Sequence, residues 1–323
     1  MLVTRRTAFG LVGAAALALA CSSSAGWAQV EGLGITAPSS PGSGYDQLAR
    51  AIQGVLQDEG LASGVQVTNI AGGGGTVGLA QFVTSKHRSP AVLVVGFALV
   101  GGILTTGSPV SLDQTTPVAR LVGEQDIIVV PAASELQTMA DLVEKLKADP
   151  GAVSWGGGSI GGFDHVLVGQ IAKAAGVDPA KANYVVHAGG GEVLASTLGG
   201  HVTVGVSGYN EFSEQVKAGQ LRALAVSGGD RIEGFDVPTL QEQGVDVAMV
   251  NWRGLVAPAN ASEDDVAALS EAVGKMVQSA AWKDALATRG WLDLYQPADE
   301  FGPFLKEQQD QIGTALKAVG LTK

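Results

Sequence analysis

The chain has 323 residues, of which 46% are hydrophobic and 16% charged, and its formal net charge is −11. This apolar content excludes a disordered chain, and the acidic balance argues against a nucleic-acid partner, because phosphate binding needs a basic footprint. Glycine, with 46 residues, makes up about 14 per cent, twice the usual share, but shows no Gly-X-Y period, which excludes collagen.

Residues 1–28 have the pattern of an export signal. Arg5 and Arg6 form a positive segment, a small and apolar stretch runs from Ala8 to Ala20, and Ala28 ends a segment suited to cleavage. The stretch is too short to span a bilayer, so the alternative is a buried N-terminal helix. The paired arginines also allow twin-arginine export. Cleavage removes two arginines and no acid, which takes the net charge from −11 to −13.

Cys21 is the only cysteine, so the mature domain has no disulfide and its stability must come from its core. The segment Leu19-Ala20-Cys21-Ser22 allows lipoprotein cleavage with Cys21 lipidated, or a cysteine discarded with the signal. No later segment has 18 uninterrupted apolar residues. We expect a soluble periplasmic protein, with a lipid anchor on Cys21 as an open alternative.

Short β-type runs alternate with helical patterns through the mature chain, which is typical of an α/β protein with mostly parallel sheet. After Pro258 the pattern predicts helices alone. The predicted strands are Gly34–Ala37, Val65–Ile70, Val92–Phe97, Val118–Val122, Ile127–Val130, Val153–Trp155, Tyr184–His187, Val202–Val206, Ala223–Val226 and Val247–Val250.

This order predicts two α/β lobes and two hinge crossings between them. The first lobe is expected to comprise residues 29–125 and 256–323, with its C-terminal helices bracing it, and the second lobe residues 126–255. The crossings are expected near Gly123–Val130 and Asn251–Pro258.

Five glycine-rich segments follow predicted strands and precede predicted helices. Such places present backbone N–H groups and a partial positive charge to an anion, and glycine allows close backbone approach. One such loop is an ordinary turn, but five favour an anion site that needs no buried arginine. In Trp252-Arg253-Gly254, the arginine is expected either to pack at the hinge or to face the anion. The five segments are 39–46, 71–78, 156–162, 187–192 and 207–211.

Cofactor and metal motifs are weak. Gly73–Gly78 satisfies the dinucleotide pattern G-x-G-x-x-G, but the next predicted strand segment, Leu93–Val100, holds none of the acids that this site needs. The four histidines show no i, i+4 pair and no HExxH pattern, which argues against zinc. We expect no cofactor and no metal.

The segment Gly157-Gly158-Ser159-Ile160-Gly161 satisfies G-x-S-x-G, the nucleophile elbow of α/β-hydrolases. A secreted serine hydrolase would use Ser159 with His187 or His201 as its base. Against it, an oxyanion loop should precede the serine, whereas the glycine-rich segment 187–191 follows it. The hydrolase is therefore the alternative and a binding protein the main hypothesis.

An ordered series of segments resembles the TctC/Bug family, the periplasmic solute receptors of tripartite tricarboxylate transporters. The similarity runs from about residue 30 to 320 and is carried by Pro41-Gly42-Ser43-Gly44-Tyr45-Asp46, Asn69-Ile70-Ala71-Gly72-Gly73-Gly74-Gly75, Gly158-Ser159-Ile160-Gly161-Gly162, Leu198-Gly199-Gly200-His201-Val202, Lys217–Val226, Val237-Pro238-Thr239-Leu240 and Trp252–Pro258. Ala71 stands where the family has proline.

The resemblance implies a two-lobe, type II-like periplasmic-binding-protein fold and a monomer that is not an enzyme. It implies a receptor that closes on a small di- or tricarboxylate, or a similar organic acid, and presents it to a membrane permease; a sensor would share the same site. Phe97 stands where the family often has small hydroxyl residues. The ligand-binding residues implied are Ser43, Gly44, Tyr45, Asp46, Gly73, Gly74, Gly75, Phe97, Gly158, Ser159, Gly161, Gly190, Gly191 and Asn210.

Overall fold

The structure is a computed structural model that describes residues 29–87 and 90–322. The predicted signal, residues 1–28 with Cys21, lies outside the described residues. The strands are β1 (Val30–Glu31), β2 (Gly34–Ala37), β3 (Ala62–Ser63), β4 (Gln66–Asn69), β5 (Ala91–Gly96), β6 (Thr115–Glu124), β7 (Asp126–Pro131), β8 (Ser154–Gly157), β9 (Asn183–Val186), β10 (Val204–Gly208), β11 (Leu221–Val226), β12 (Asn251–Pro258) and β13 (Leu292–Pro297). The helices are α1 (Gly44–Asp58), α2 (Thr76–Thr84), α3 (Phe97–Thr106), α4 (Met139–Ala148), α5 (Phe163–Ala174), α6 (Gly190–Leu198), α7 (Tyr209–Lys217), α8 (Glu263–Met276), α9 (Ala280–Arg289) and α10 (Ala298–Ala318).

Two large sheets organise these elements, and β1 and β3 form a separate two-stranded parallel sheet. The first has six strands in the order β13-β6-β12-β5-β2-β4, and the second has five in the order β11-β7-β10-β8-β9. Parallel pairs join β2 to β4 and β5, and β8 to β9 and β10, whereas β12 and β7 pair antiparallel with both of their neighbours. All six residues of β5 are buried, as expected for a strand covered on both faces.

The first crossing between the sheets is one residue long. Strand β6 ends at Glu124 and β7 begins at Asp126, so only Gln125 lies between them. Its side-chain amide donates to the carbonyl of Asp230 at 2.9 Å and accepts from the N–H of Gly228 at 2.9 Å. Since residues 227–250 return the chain to the first sheet, these bonds fasten the two crossings together.

The second crossing precedes the segment in which it was expected. Residues 251–258 form β12, which pairs on both sides within the six-stranded sheet, and the predicted strand Val247–Val250 is wrong, because these residues form no strand. Gly254 weakens the strand pattern in the sequence, yet it is needed there: a Cβ on it would lie 2.7 Å from the ring of Phe301.

The C-terminal region braces the first sheet, as expected. Helix α10 packs on β6 and α3, while α8 packs on α1 and β6. The region is not helical throughout, because β13 forms an edge strand beside β6. Two of its six residues are exposed, the other four are partly buried and the strand ends in proline, so it lacks the continuous apolar run that marks the inner strands in sequence. In the part of the chain that the structure describes, no helix combines the length and apolar character needed to cross a membrane.

Candidate functional site

A cavity of about 700 Å³ opens between loops of the two sheets. The first sheet contributes residues 38–45 before and within α1, the glycine run 71–75, and part of α3. The second contributes the loops after β8, β9 and β10. Asp126 at the start of β7 and Arg253 in β12, both close to the crossings, complete the lining. Loops at the carboxyl ends of strands therefore form its walls, which is where open α/β sheets bind ligands.

The structure brings nine of the predicted residues together in this wall: Ser43, Gly44, Tyr45, Gly73, Gly74, Gly75, Gly158, Ser159 and Gly190. The other five lie outside the residues that line the cavity: Asp46, Phe97, Gly161, Gly191 and Asn210.

Three of those five have structural contacts of their own. Asp46 is buried and accepts hydrogen bonds from Gly42 N–H at 2.8 Å, Asn69 Nδ2 at 2.9 Å and Arg50 Nε at 3.0 Å. Burial alone would raise its pKa, but these bonds outweigh it and lower the pKa. Phe97 packs edge-on to Phe163, with ring centroids 5.3 Å apart.

Asn210 is the second residue of α7, and its side chain contacts the end of α9 and the segment after it. With its amide oriented to satisfy its partners, it donates to the carbonyl of Arg289 at 3.2 Å and accepts from Trp291 Nε1 at 3.0 Å. Gly161 has a φ of +74° and lies against Thr105 of α3, while Gly191 is exposed in α6.

In the first wall, backbone rather than side chains faces the cavity. The four glycines 72–75 all have a positive φ, between 57° and 128°. Residues with a side chain rarely adopt this backbone conformation. Beside this run, the Tyr45 hydroxyl accepts from the N–H of Leu99 at 3.0 Å, which joins α1 to α3. Burial raises the pKa of Tyr45 to about 12, so it remains a neutral phenol.

In the second wall, side chains hold the Gly158–Gly162 loop in place. Asp164 Oδ2 accepts from Gly158 N–H at 2.7 Å, and Tyr184 donates to the carbonyl of Gly158 at 3.0 Å. His165 stacks on Tyr184 with centroids 3.9 Å apart and accepts at Nδ1 from Gly161 N–H at 3.3 Å. Burial lowers the pKa of His165 to about 4, so the ring is neutral.

Ser159 lies in the cavity wall without the base that a hydrolase needs. Among the described residues, no histidine is hydrogen-bonded to its hydroxyl, and His187 directs Nδ1 to the carbonyl of Val185 at 3.0 Å. A nucleophilic serine requires a base within hydrogen-bond reach.

The cavity also contains a cluster that sequence reasoning did not assemble. This acidic cluster consists of Glu124, Asp126, Asp164, Glu211 and Arg253. The Arg253 guanidinium donates from Nη1 to Glu124 Oε2 at 2.6 Å, and both side chains are buried. Glu211 accepts from the Ser207 hydroxyl. Four carboxyl groups thus share one guanidinium.

Burial and mutual repulsion raise several of these pKa values. The pKa of Asp126 is raised well above its ordinary range by burial and by the charges of Asp164 and Glu124. Burial also raises the pKa of Asp164, against the hydrogen bond from Gly158 that lowers it. Burial, together with the charge of Glu124, raises the pKa of Glu211 to about 7.

The arginine corrects the expectation of an anion site without buried arginines. Arg253 lines the cavity from β12 and is 6% exposed. Three glycines make room for the acidic cluster: a Cβ on Gly44 would collide with Arg253, one on Gly190 with Glu211, and one on Gly208 with Glu124. Part of the glycine excess is therefore needed to make room for buried charged side chains, and not only to form the ligand loops.

The pKa of Glu211 makes stability depend on pH. Between 4.5 and about 7 the folded protein holds a proton that the unfolded chain releases, so the free energy of unfolding falls as pH rises through this window. His165 acts in the opposite direction between about 4 and 6.5, so pH 6.5–8 lies above the window of His165. There we expect a loss of about 1 kcal/mol from Glu211. Urea denaturation should show a smaller slope in Glu211→Gln, and an equal slope would contradict this assignment.

The two sheets, their double crossing and the cavity between them define a periplasmic-binding-protein fold. The solved periplasmic binding protein BugD superimposes with a TM-score of 0.79 at 20% identity, covering 91% of this chain and 98% of that one. MatC of Rhodopseudomonas palustris with bound malate gives 0.78 at 19% identity, covering 89% and 99%. An R. palustris protein with adipate, Rpa4515, gives 0.83 at 18% identity, covering 90% and 97%.

The sequence comparisons identify the family. The family model TctC, described as tripartite tricarboxylate transporter family receptor, matches residues 48–321. Protein BugT of Bordetella pertussis is 27% identical over 295 residues, which is 88% of this chain and 87% of that protein. A UPF0065 protein of Cupriavidus necator is 28% identical over 207 residues, 64% of this chain and 62% of that protein. The chain belongs to the TctC family and is a receptor, not an enzyme.

Proposed function

We propose that the protein is an extracytoplasmic receptor that captures a small organic carboxylate between two lobes and delivers it to the membrane permease of a tripartite tricarboxylate transporter. One observation carries this proposal: loops from both sheets place glycine backbone and helix N-termini around one cavity. Such groups bind carboxylates. The structural neighbours named with malate and adipate hold ligands of this class.

The proposed binding residues are those that line the cavity. Ser43 caps α1 and lies beside the four-glycine run, so a carboxylate placed there would meet the first helix N-terminus. Ser159 and Gly190 would approach it from the second wall. We propose lobes built on the two sheets, and a monomer that closes by rotation about the paired crossings.

A matched pair of glycine variants tests the site. Gly74 and Gly60 both have a φ of 66°, so alanine strains either backbone equally, but only Gly74 lines the cavity. A Cβ on Gly74 would also lie 3.0 Å from the Cα of Gly102. We expect Gly74→Ala to weaken carboxylate binding at least about tenfold, with Gly60→Ala binding as the parent does.

Calorimetric titration with malate, adipate, succinate and citrate provides the measurement. Equal affinities of Gly74→Ala and Gly60→Ala would refute the site. If the parent protein binds no carboxylate at all, the proposed function is refuted.

A further inference from the structure

The acidic cluster has more negative than positive charge. Arg253 pairs with Glu124, and this is the cluster's one salt bridge within the described part of the chain. Asp126, Asp164 and Glu211 then have no counter-charge of their own. A ligand that placed a second or third carboxylate here would be repelled by each of them.

Asp126 is the member of the cluster that most clearly lacks a partner. Its side chain is fully buried, both carboxylate oxygens are without a hydrogen-bond donor, and the residue lines the cavity. An unpaired buried carboxylate costs several kcal/mol, so proteins rarely keep one without a use. Without ligand, protonation reduces that cost, because burial and the charges of Asp164 and Glu124 raise the pKa of Asp126.

An organic cation fits the unbalanced negative charge of the acidic cluster better than a metal ion does. No group of three or more Asp, Glu, His or Cys side chains within residues 29–87 and 90–322 has the geometry to hold a metal. An ammonium group carries one positive charge and three N–H donors, which suits the two free oxygens of Asp126 and a neighbouring acid.

We propose that the acidic cluster binds the ammonium group of a ligand whose other end is a carboxylate, with Asp126 as the main counter-charge. This inference rests on the proposed function, because the carboxylate end is assigned to the glycine loops of the first wall. The substrate class is thus an organic acid that carries an amino group, rather than a di- or tricarboxylate without one.

Two pairs of nearly isosteric ligands test the inference on the full mature protein. Adipate and 6-aminohexanoate have the same carbon chain, with one carboxylate of adipate replaced by a protonated aminomethyl group (CH2–NH3⁺). Malate and aspartate differ by a hydroxyl replaced by an ammonium group. A charge-assisted hydrogen bond to a buried carboxylate predicts that the amino member of at least one pair binds about 10- to 100-fold tighter at pH 7.5.

The variant Asp126→Asn keeps the shape of the side chain and removes its charge. We expect it to lose the preference for the amino member, so that the ratio of the two affinities within the pair falls toward one, with an unchanged or higher Tm. Asp58→Asn, an exposed position at the end of α1, is the charge-matched control and should bind as the parent does. If Asp126→Asn does not fold, Asp164→Asn takes its place with the same expectation.

The outcomes separate the two proposals. Dicarboxylates that bind as tightly as their amino partners overturn the ammonium site and leave the carboxylate receptor in place. A preference for the amino member that Asp126→Asn retains in full also overturns it. Silence toward both pairs, and toward diacids and ω-amino acids of other lengths, overturns both proposals.

Discussion

Replacing Arg253 by methionine is expected to lower the free energy of unfolding by about 3–5 kcal/mol at pH 7.5, since breaking a buried pair leaves an uncompensated buried charge. Arg253 is buried, donates to Glu124 at 2.6 Å, and holds the one positive charge of the acidic cluster. Its burial lowers its pKa, but Glu124 and Glu211 outweigh that effect and raise it, so the guanidinium stays charged. Urea denaturation measures the loss.

Two further variants test whether the loss of stability comes from the carboxylate of Glu124 left without its partner. Adding Glu124→Gln to Arg253→Met removes the carboxylate left without its partner and should restore a substantial part of the stability. Arg231→Met breaks exposed pairs with Asp236 and Glu242 and should cost no more than about 1 kcal/mol. A cost for Arg253→Met no larger than that of Arg231→Met would show that the buried pair does not hold the cluster.

Gly101→Ala is expected to weaken ligand binding at least about tenfold while the protein stays folded. Gly101 lies in α3, and a Cβ on it would collide with the carbonyl oxygen of Gly161 in the loop after β8. The added methyl group would therefore prevent the two walls from meeting as they do now. Because the described chain passes between the sheets through Gln125 and through residues 227–250, we expect the walls to move apart without unfolding either sheet.

The control for this prediction is Gly313→Ala in α10. It makes the same substitution in a helix where the new Cβ would lie 3.8 Å from Leu104, an ordinary contact. We expect a stability change within about 1 kcal/mol for both variants. Calorimetry measures the affinity and small-angle scattering the separation of the lobes. An affinity of Gly101→Ala equal to that of Gly313→Ala would contradict a role for this contact in closure.

The sequence predicts most of this fold because its buried strands carry apolar runs of strand length. The segment 92–97 is an example, and it overlaps β5. Prediction fails where packing and not composition decides the strand: Asn251–Pro258 contains a glycine, an arginine and a proline, yet it pairs on both sides. The apolar run Val247–Val250 lies instead in the second crossing, where the backbone N–H of Met249 donates a hydrogen bond to the carbonyl of Ser227.

The sequence predicts the glycine wall of the candidate site but not its acidic cluster. Glycine runs at strand ends identify the backbone wall, since glycine in such a pattern has few other uses. The acidic cluster brings together four acids from separate elements, and each alone resembles an exposed loop residue. A signal was present in Glu124-Gln125-Asp126, where two acids interrupt apolar runs on both sides, but only the fold shows that Asp164 and Glu211 meet them.

The hydrogen bonds of Gln125 that join the two crossings also connect the acidic cluster to the axis about which the lobes would turn. Gln125 links one crossing to the other, and its two chain neighbours, Glu124 and Asp126, belong to the acidic cluster. A change of charge at Asp126 thus acts on the axis about which the lobes would turn. Near an axis a displacement of a fraction of an ångström becomes a movement of several ångströms at the outer ends of the lobes, so neutralising the cluster would change their separation.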